Sequence, residues 1–106
     1  MSGSGSGGYY IPPYRRSEDL VCSKINIDTV LVDPRGIIGN LTVGDILAVR
    51  LVDNMLLVYY GAELVGAIEI PEQNVLVRCI KSGTVYIATI LSIEGKICKV
   101  KITPLQ

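Results

Sequence analysis

The side chains able to carry chemistry are few, and their types exclude more than they allow. The 106 residues include no histidine, which removes the usual general base and any Ser-His or Cys-His nucleophilic pair. Carboxylates remain, chiefly Asp45, Asp53, Glu63 and Glu69. Asp45 and Asp53 fall in turn positions, where Asp serves local hydrogen bonding, and Glu63 and Glu69 read as solvated charges. Nothing in their spacing sets two of them across a cleft. The segment from Gly36 to Gly39 fits neither GxxxxGK[ST] nor GxGxxG, so no phosphate cradle is indicated. The expectation is a protein that is not an enzyme and carries no cofactor.

Three cysteines, Cys22, Cys79 and Cys98, are widely spaced and flanked by apolar residues. An odd count without CxxC or CxxH spacing reads as three reduced core thiols, neither a disulfide framework nor a metal site. No basic stretch leads into an apolar one at the start, and no apolar run approaches the roughly 18 residues of a membrane span. A cytoplasmic protein without membrane association is therefore expected.

Ten basic residues balance ten acidic ones, which gives no global electrostatic drive towards nucleic acid or anionic membranes. The distribution is uneven. From Pro71 onward the cations are Arg78, Lys81, Lys96, Lys99 and Lys101, against Glu72 and Glu94. Lys99 and Lys101 share one face of the last strand, and Tyr59, Tyr60 or Tyr86 could stack bases beside them, as small barrels do with single strands. Alternating lysines on a terminal strand also read as protection of an exposed sheet edge.

The elements that would position these groups are mostly strands. The apolar fraction rests on Val, Ile and Leu with neither Phe nor Trp, a composition that favours sheet. Residues 41–70 form a three-stranded meander. Residues 46–52 alternate, Asp53-Asn54 turn the chain, residues 55–60 follow, and residues 61–63 turn into residues 64–70. Gly66 inside that last strand marks a bend or bulge.

The middle strand, MLLVYY, is apolar on both faces, which argues for cover from both sides by the N-terminal arm or another chain. An earlier strand is expected within residues 24–32, followed by a turn at residues 33–36, with Ile37 and Ile38 plugging a barrel end. Residues 71–81 are the helix expected, since Val75, Leu76, Cys79 and Ile80 share a face and Gly83 supplies a stop; a strand through residues 75–80 is the other reading. Residues 84–93 and 96–103 make a final hairpin. About six short strands with one capping helix give a closed or half-open β-barrel as one domain spanning residues 17–106.

Residues 1–8 read as a Gly/Ser leader, and residues 9–16, YYIPPYRR, as an extended Tyr/Pro-rich arm. Tyr9, Tyr10, Ile11 and Tyr14 offer aromatic and apolar contact area at low entropy cost. The arm packs on its own barrel or inserts into a partner.

Gly44-Asp45 opening a strand, Val65-Gly66-Ala67-Ile68 before the helix, residues 76–83 leading into Tyr86-Ile87-Ala88, and the strand through Ile93 together resemble the HIRAN domain. The likeness runs over residues 41–103, a little over half the chain. HIRAN domains are small β-barrels of helicase-like DNA-repair proteins, also found alone in bacteria. The family's acidic-Pro-x-Asn segment, with the Asp and Ala-Ile-Val strand after it, is replaced by MLLVYY. The resemblance implies the barrel and, in some members, a grip on a single-stranded DNA 3′ end. Here only Tyr86 and its neighbouring cations Arg78, Lys81, Lys96, Lys99 and Lys101 could take that part, by position.

Two function classes follow. The first is a non-catalytic protein-interaction or assembly module, an adaptor or accessory subunit of a larger complex or a self-associating one. Its contacts would be Tyr9, Tyr10, Ile11, Tyr14, Met55, Leu57, Tyr59 and Tyr60. The alternative is a HIRAN-like single-stranded nucleic-acid-binding barrel.

Overall fold

The computed structural model describes residues 21–105. Six antiparallel strands, β1 (Ile27–Val30), β2 (Ile46–Val52), β3 (Met55–Tyr60), β4 (Glu63–Ile68), β5 (Tyr86–Glu94) and β6 (Ile97–Pro104), form one curled sheet, with helix α1 (Gln73–Lys81) between β4 and β5. The spatial order is β1-β6-β5-β2-β3-β4, so the expected mainly β half-barrel, with the short helix α1, is the fold observed among the described residues. Residues 75–80 are helical, which decides against their strand reading.

Sequence chemistry accounts for the joints. Asp53 and Asn54 both adopt positive φ, 51° and 63°, as a two-residue hairpin turn with the native twist requires. Asp45 closes the turn before β2, its Oδ2 accepting from the Thr42 amide at 2.9 Å. Two bulges curl the sheet. Val65 is extra between the pairs Tyr59–Leu64 and Val58–Gly66, and Leu91 between Ile90–Val100 and Ser92–Lys99. An extra residue on one strand bends it and tightens the local twist.

That curl brings the two ends of the sheet together. The first strand is shorter than the sequence suggests because the chain changes partners after Val30. Ile27–Val30 pairs with β6, and the Leu31 amide still donates to the Cys98 carbonyl at 2.9 Å. Val32 then bridges to Ala67 on β4. Its amide donates to the Ala67 carbonyl at 2.8 Å, and the Ala67 amide returns the bond at 2.9 Å. The Arg35 amide adds a third bond to the Val65 carbonyl at 2.8 Å.

One face of every strand fills the interior. Leu47, Leu56, Val58, Ala88, Val100 and Ile102 are all sealed from solvent. Ile38, in the 3-10 turn Gly36–Asn40, is buried at one end, and Leu76 and Cys79 of α1 close the sheet near the start of β5.

Cys22 and Cys79 are joined in a disulfide across 57 positions of sequence. This corrects the expectation of three reduced thiols: wide spacing in the chain becomes a Cα separation of 5.6 Å once α1 folds over the barrel end. Cys98 is a free, buried thiol on β6.

Candidate functional site

The outer faces of β2 and β3 carry the feature that MLLVYY announced. Leu56 and Val58 point inward and are buried, so Met55, Leu57 and Tyr59 lie on the opposite face. Register pairs them with Val52, Arg50 and Ala48 respectively. Ala48 in turn pairs with Ile87, and Ile46 with Thr89, on β5. The result is an apolar strip broken by one cation. Met55 is 52% exposed, and Ile46 and Val52 are also exposed; Tyr60 is exposed too, but at the end of β3 and with the parity of Leu56 and Val58. Leu57 and Tyr59 are half-buried by their neighbours.

Arg50 does not break the strip electrostatically as an isolated charge would. Its guanidinium carbon sits 5.5 Å from the centre of the Tyr59 ring, within cation–π range. These two residues, with Gly61 and Ala62, line a surface hollow of about 410 Å³. The strip thus has an exposed apolar end at the Val52/Met55 pair and a concave end at Arg50 and Tyr59.

The cations proposed for nucleic acid do not assemble into one groove. Lys99 and Lys101 share the outer face of β6, as alternation predicts, but β6 lies between β1 and β5. The reading of those lysines as edge protection is therefore corrected, since the last strand in sequence is inserted inside the sheet. Lys101 Nζ forms a salt bridge with Asp28 Oδ1 at 2.9 Å and donates to Asn26 Oδ1 at 3.1 Å. Arg78 and Lys81 are on α1 near the start of β5, whereas Lys96 follows its far end. The nine residues of β5 separate those ends by roughly 25–30 Å.

Tyr86 is in the core, 1% exposed, with no ring face open to a base. Its hydroxyl donates to the Cys22 carbonyl at 2.8 Å, and burial pushes its pKa above the ordinary 10.0. The signal was in the alternation, because Tyr86, Ala88 and Ile90 share one parity and all face inward. Desolvation also raises the Cys98 thiol above its ordinary 9.0, so the sulfur stays protonated and unreactive at neutral pH.

Among the described residues no group of three or more His, Cys, Asp or Glu side chains is placed to hold a metal ion, and no helix is long and apolar enough to cross a membrane. Tyr9, Tyr10, Ile11 and Tyr14 lie outside the described residues. No protein-family model, curated protein or solved structure matches the chain.

Proposed function

We propose that the chain is a non-catalytic protein-interaction module whose contact surface is the outer face of β2 and β3, and that it associates with a second copy of itself through that face. One observation carries the reading: the side of the sheet away from the core carries an apolar strip, exposed at Ile46, Val52 and Met55, half-buried at Leu57 and Tyr59, and interrupted by Arg50. Exposed apolar strips of this kind mark contact surfaces.

The strip is also self-complementary. Met55 and Val52 are exposed at one end, and the Arg50–Tyr59 hollow opens at the other. A twofold axis through Leu57 sets each knob over the partner's hollow, the reciprocal packing that a symmetric dimer needs. A methionine fits such a seat well because its thioether packs against aromatic ring edges. A net charge of zero puts no long-range repulsion in the way.

The mass of the full chain in solution, compared with that of a Met55→Asp variant, tests this reading. Cystines persist mostly in oxidising compartments, so the Cys22–Cys79 bond argues against placing the module in the cytoplasm, and the proposal makes no use of that location.

A further inference from the structure

We propose that the Cys22–Cys79 cystine is a redox latch: a dithiol reductant attacks it on the Cys22 side, and reduction frees residues 21–26 from α1 while the sheet stays closed. The two half-cystines are nearly sealed, Cys22 3% and Cys79 1% exposed. They differ in what adjoins them. Cys22 forms part of the wall of a surface hollow of about 440 Å³, together with Gly83, Thr84, Val85, Pro104 and Leu105, whereas Cys79 is not among its wall residues. A thiolate arriving through this hollow therefore approaches the bond from Cys22.

The exchange proceeds through a mixed disulfide. One thiolate of the reductant bonds to Cys22 Sγ as the S–S bond breaks; the bonding pair leaves on Cys79 Sγ, which takes a proton from water. The reductant's second thiol gives up its proton and attacks its own sulfur in the mixed disulfide. The reductant departs as a cyclic disulfide, and Cys22 Sγ leaves as a thiolate and is protonated. Two electrons pass from the dithiol to the cystine.

What the bond fastens is a segment outside the sheet. Residues 21–24 make one helical turn, its Lys24 amide donating to the Val21 carbonyl at 3.1 Å, and a single turn is unstable by itself. The ladder between β1 and β6 begins only at Ile27. Ahead of it, the Tyr86 hydroxyl donates to the Cys22 carbonyl, Lys101 Nζ donates to Asn26 Oδ1, and Ile25 packs on the core. The cystine is the covalent link, and it joins this turn to α1. The seam that closes the sheet, Val32 with Ala67, lies later in the chain and uses neither cysteine. Loss of the cystine thus unfastens one end of the chain and leaves the seam in place, the kind of local opening that precedes global unfolding.

The test takes the full oxidised chain and two reductants without denaturant. Glutathione, a monothiol, stops at the mixed disulfide. With iodoacetamide present, peptide mapping by mass spectrometry should find glutathione on Cys22 and the alkyl group on Cys79, in roughly tenfold excess over the reverse arrangement. Dithiothreitol, a dithiol, should carry reduction to completion. The Lys24 amide should then exchange with deuterium roughly tenfold faster, while the amides of Val58 and Val100 keep their protection. Glutathione found mainly on Cys79, reduction that proceeds only in urea, an unchanged Lys24 exchange rate after reduction, or protection lost throughout the sheet would each overturn the proposal.

Discussion

A Cβ placed on Gly66 would lie 3.2 Å from the Val32 carbonyl oxygen and 3.3 Å from the Leu31 Cβ. Gly66 is therefore a spacing residue, at the one place where the first strand crosses from β6 to β4 and joins the two ends of the sheet. Any side chain there pushes on the backbone that makes the bridge. Gly66→Ala should lower stability by roughly 1–3 kcal/mol, the usual cost of overpacking a tight site. Gly39→Ala is the control, because a Cβ there meets nothing within 4 Å. Urea denaturation of the two variants beside the parent checks the contrast.

The disulfide should be structural. In the chain-entropy account, cross-linking positions 57 apart restricts the unfolded chain by about 4 kcal/mol. The double variant Cys22→Ala/Cys79→Ala should unfold at a correspondingly lower denaturant concentration. Thiol titration adds a count. The native protein should react with no alkylating reagent, the unfolded oxidised protein with one equivalent at Cys98, and the unfolded reduced protein with three.

Tyr86 ties the core to the segment that leads out of it. Tyr86→Phe keeps the ring and strands the Cys22 carbonyl, so the expected loss is roughly 1–3 kcal/mol. The pH dependence has a definite sign. Tyr86 and Cys98 are both raised above their ordinary values by burial, so each holds its proton more firmly folded than unfolded. Their contribution is complete below about pH 9 and is lost as pH rises through the folded values. Urea midpoints between pH 7 and pH 11 should fall at the alkaline end, and less steeply in Tyr86→Phe.

What could be read from residue order was whatever depends on neighbours in sequence. The meander followed from alternation in residues 46–52 and the Asp53-Asn54 turn, and α1 from the shared face of Leu76 and Cys79. Contacts that depend on sheet order were not readable. β6 is last in the chain yet interior in the sheet, so Lys99 and Lys101 were misjudged as edge residues. The Cys22–Cys79 bond needs α1 folded over the barrel end, and no local spacing encodes that. The candidate surface was half visible: two apolar faces on MLLVYY were plain, whereas the hollow beside Tyr59 required the register that brings in Arg50.

For the alternative, single-stranded nucleic-acid reading, the pairing of Lys101 with Asp28 is the relevant structural fact. A lysine already neutralised by a carboxylate releases fewer counterions on meeting phosphate. Single-stranded DNA at 50 mM and 200 mM salt, titrated against the parent and a Lys99→Glu/Lys101→Glu variant, is expected to show no difference between the two proteins. Salt-sensitive binding that the variant loses would favour the HIRAN-like function over protein contact.

The most direct measurement is the mass of the full chain by light scattering across a hundredfold range of concentration. The monomer is 11.5 kDa. A second copy docked through the outer face of β2 and β3 predicts a mass that rises to twice that value, and a Met55→Asp variant that stays monomeric with an unchanged circular dichroism spectrum. A parent chain that remains at 11.5 kDa throughout, or a variant that dimerises as the parent does, would contradict the account.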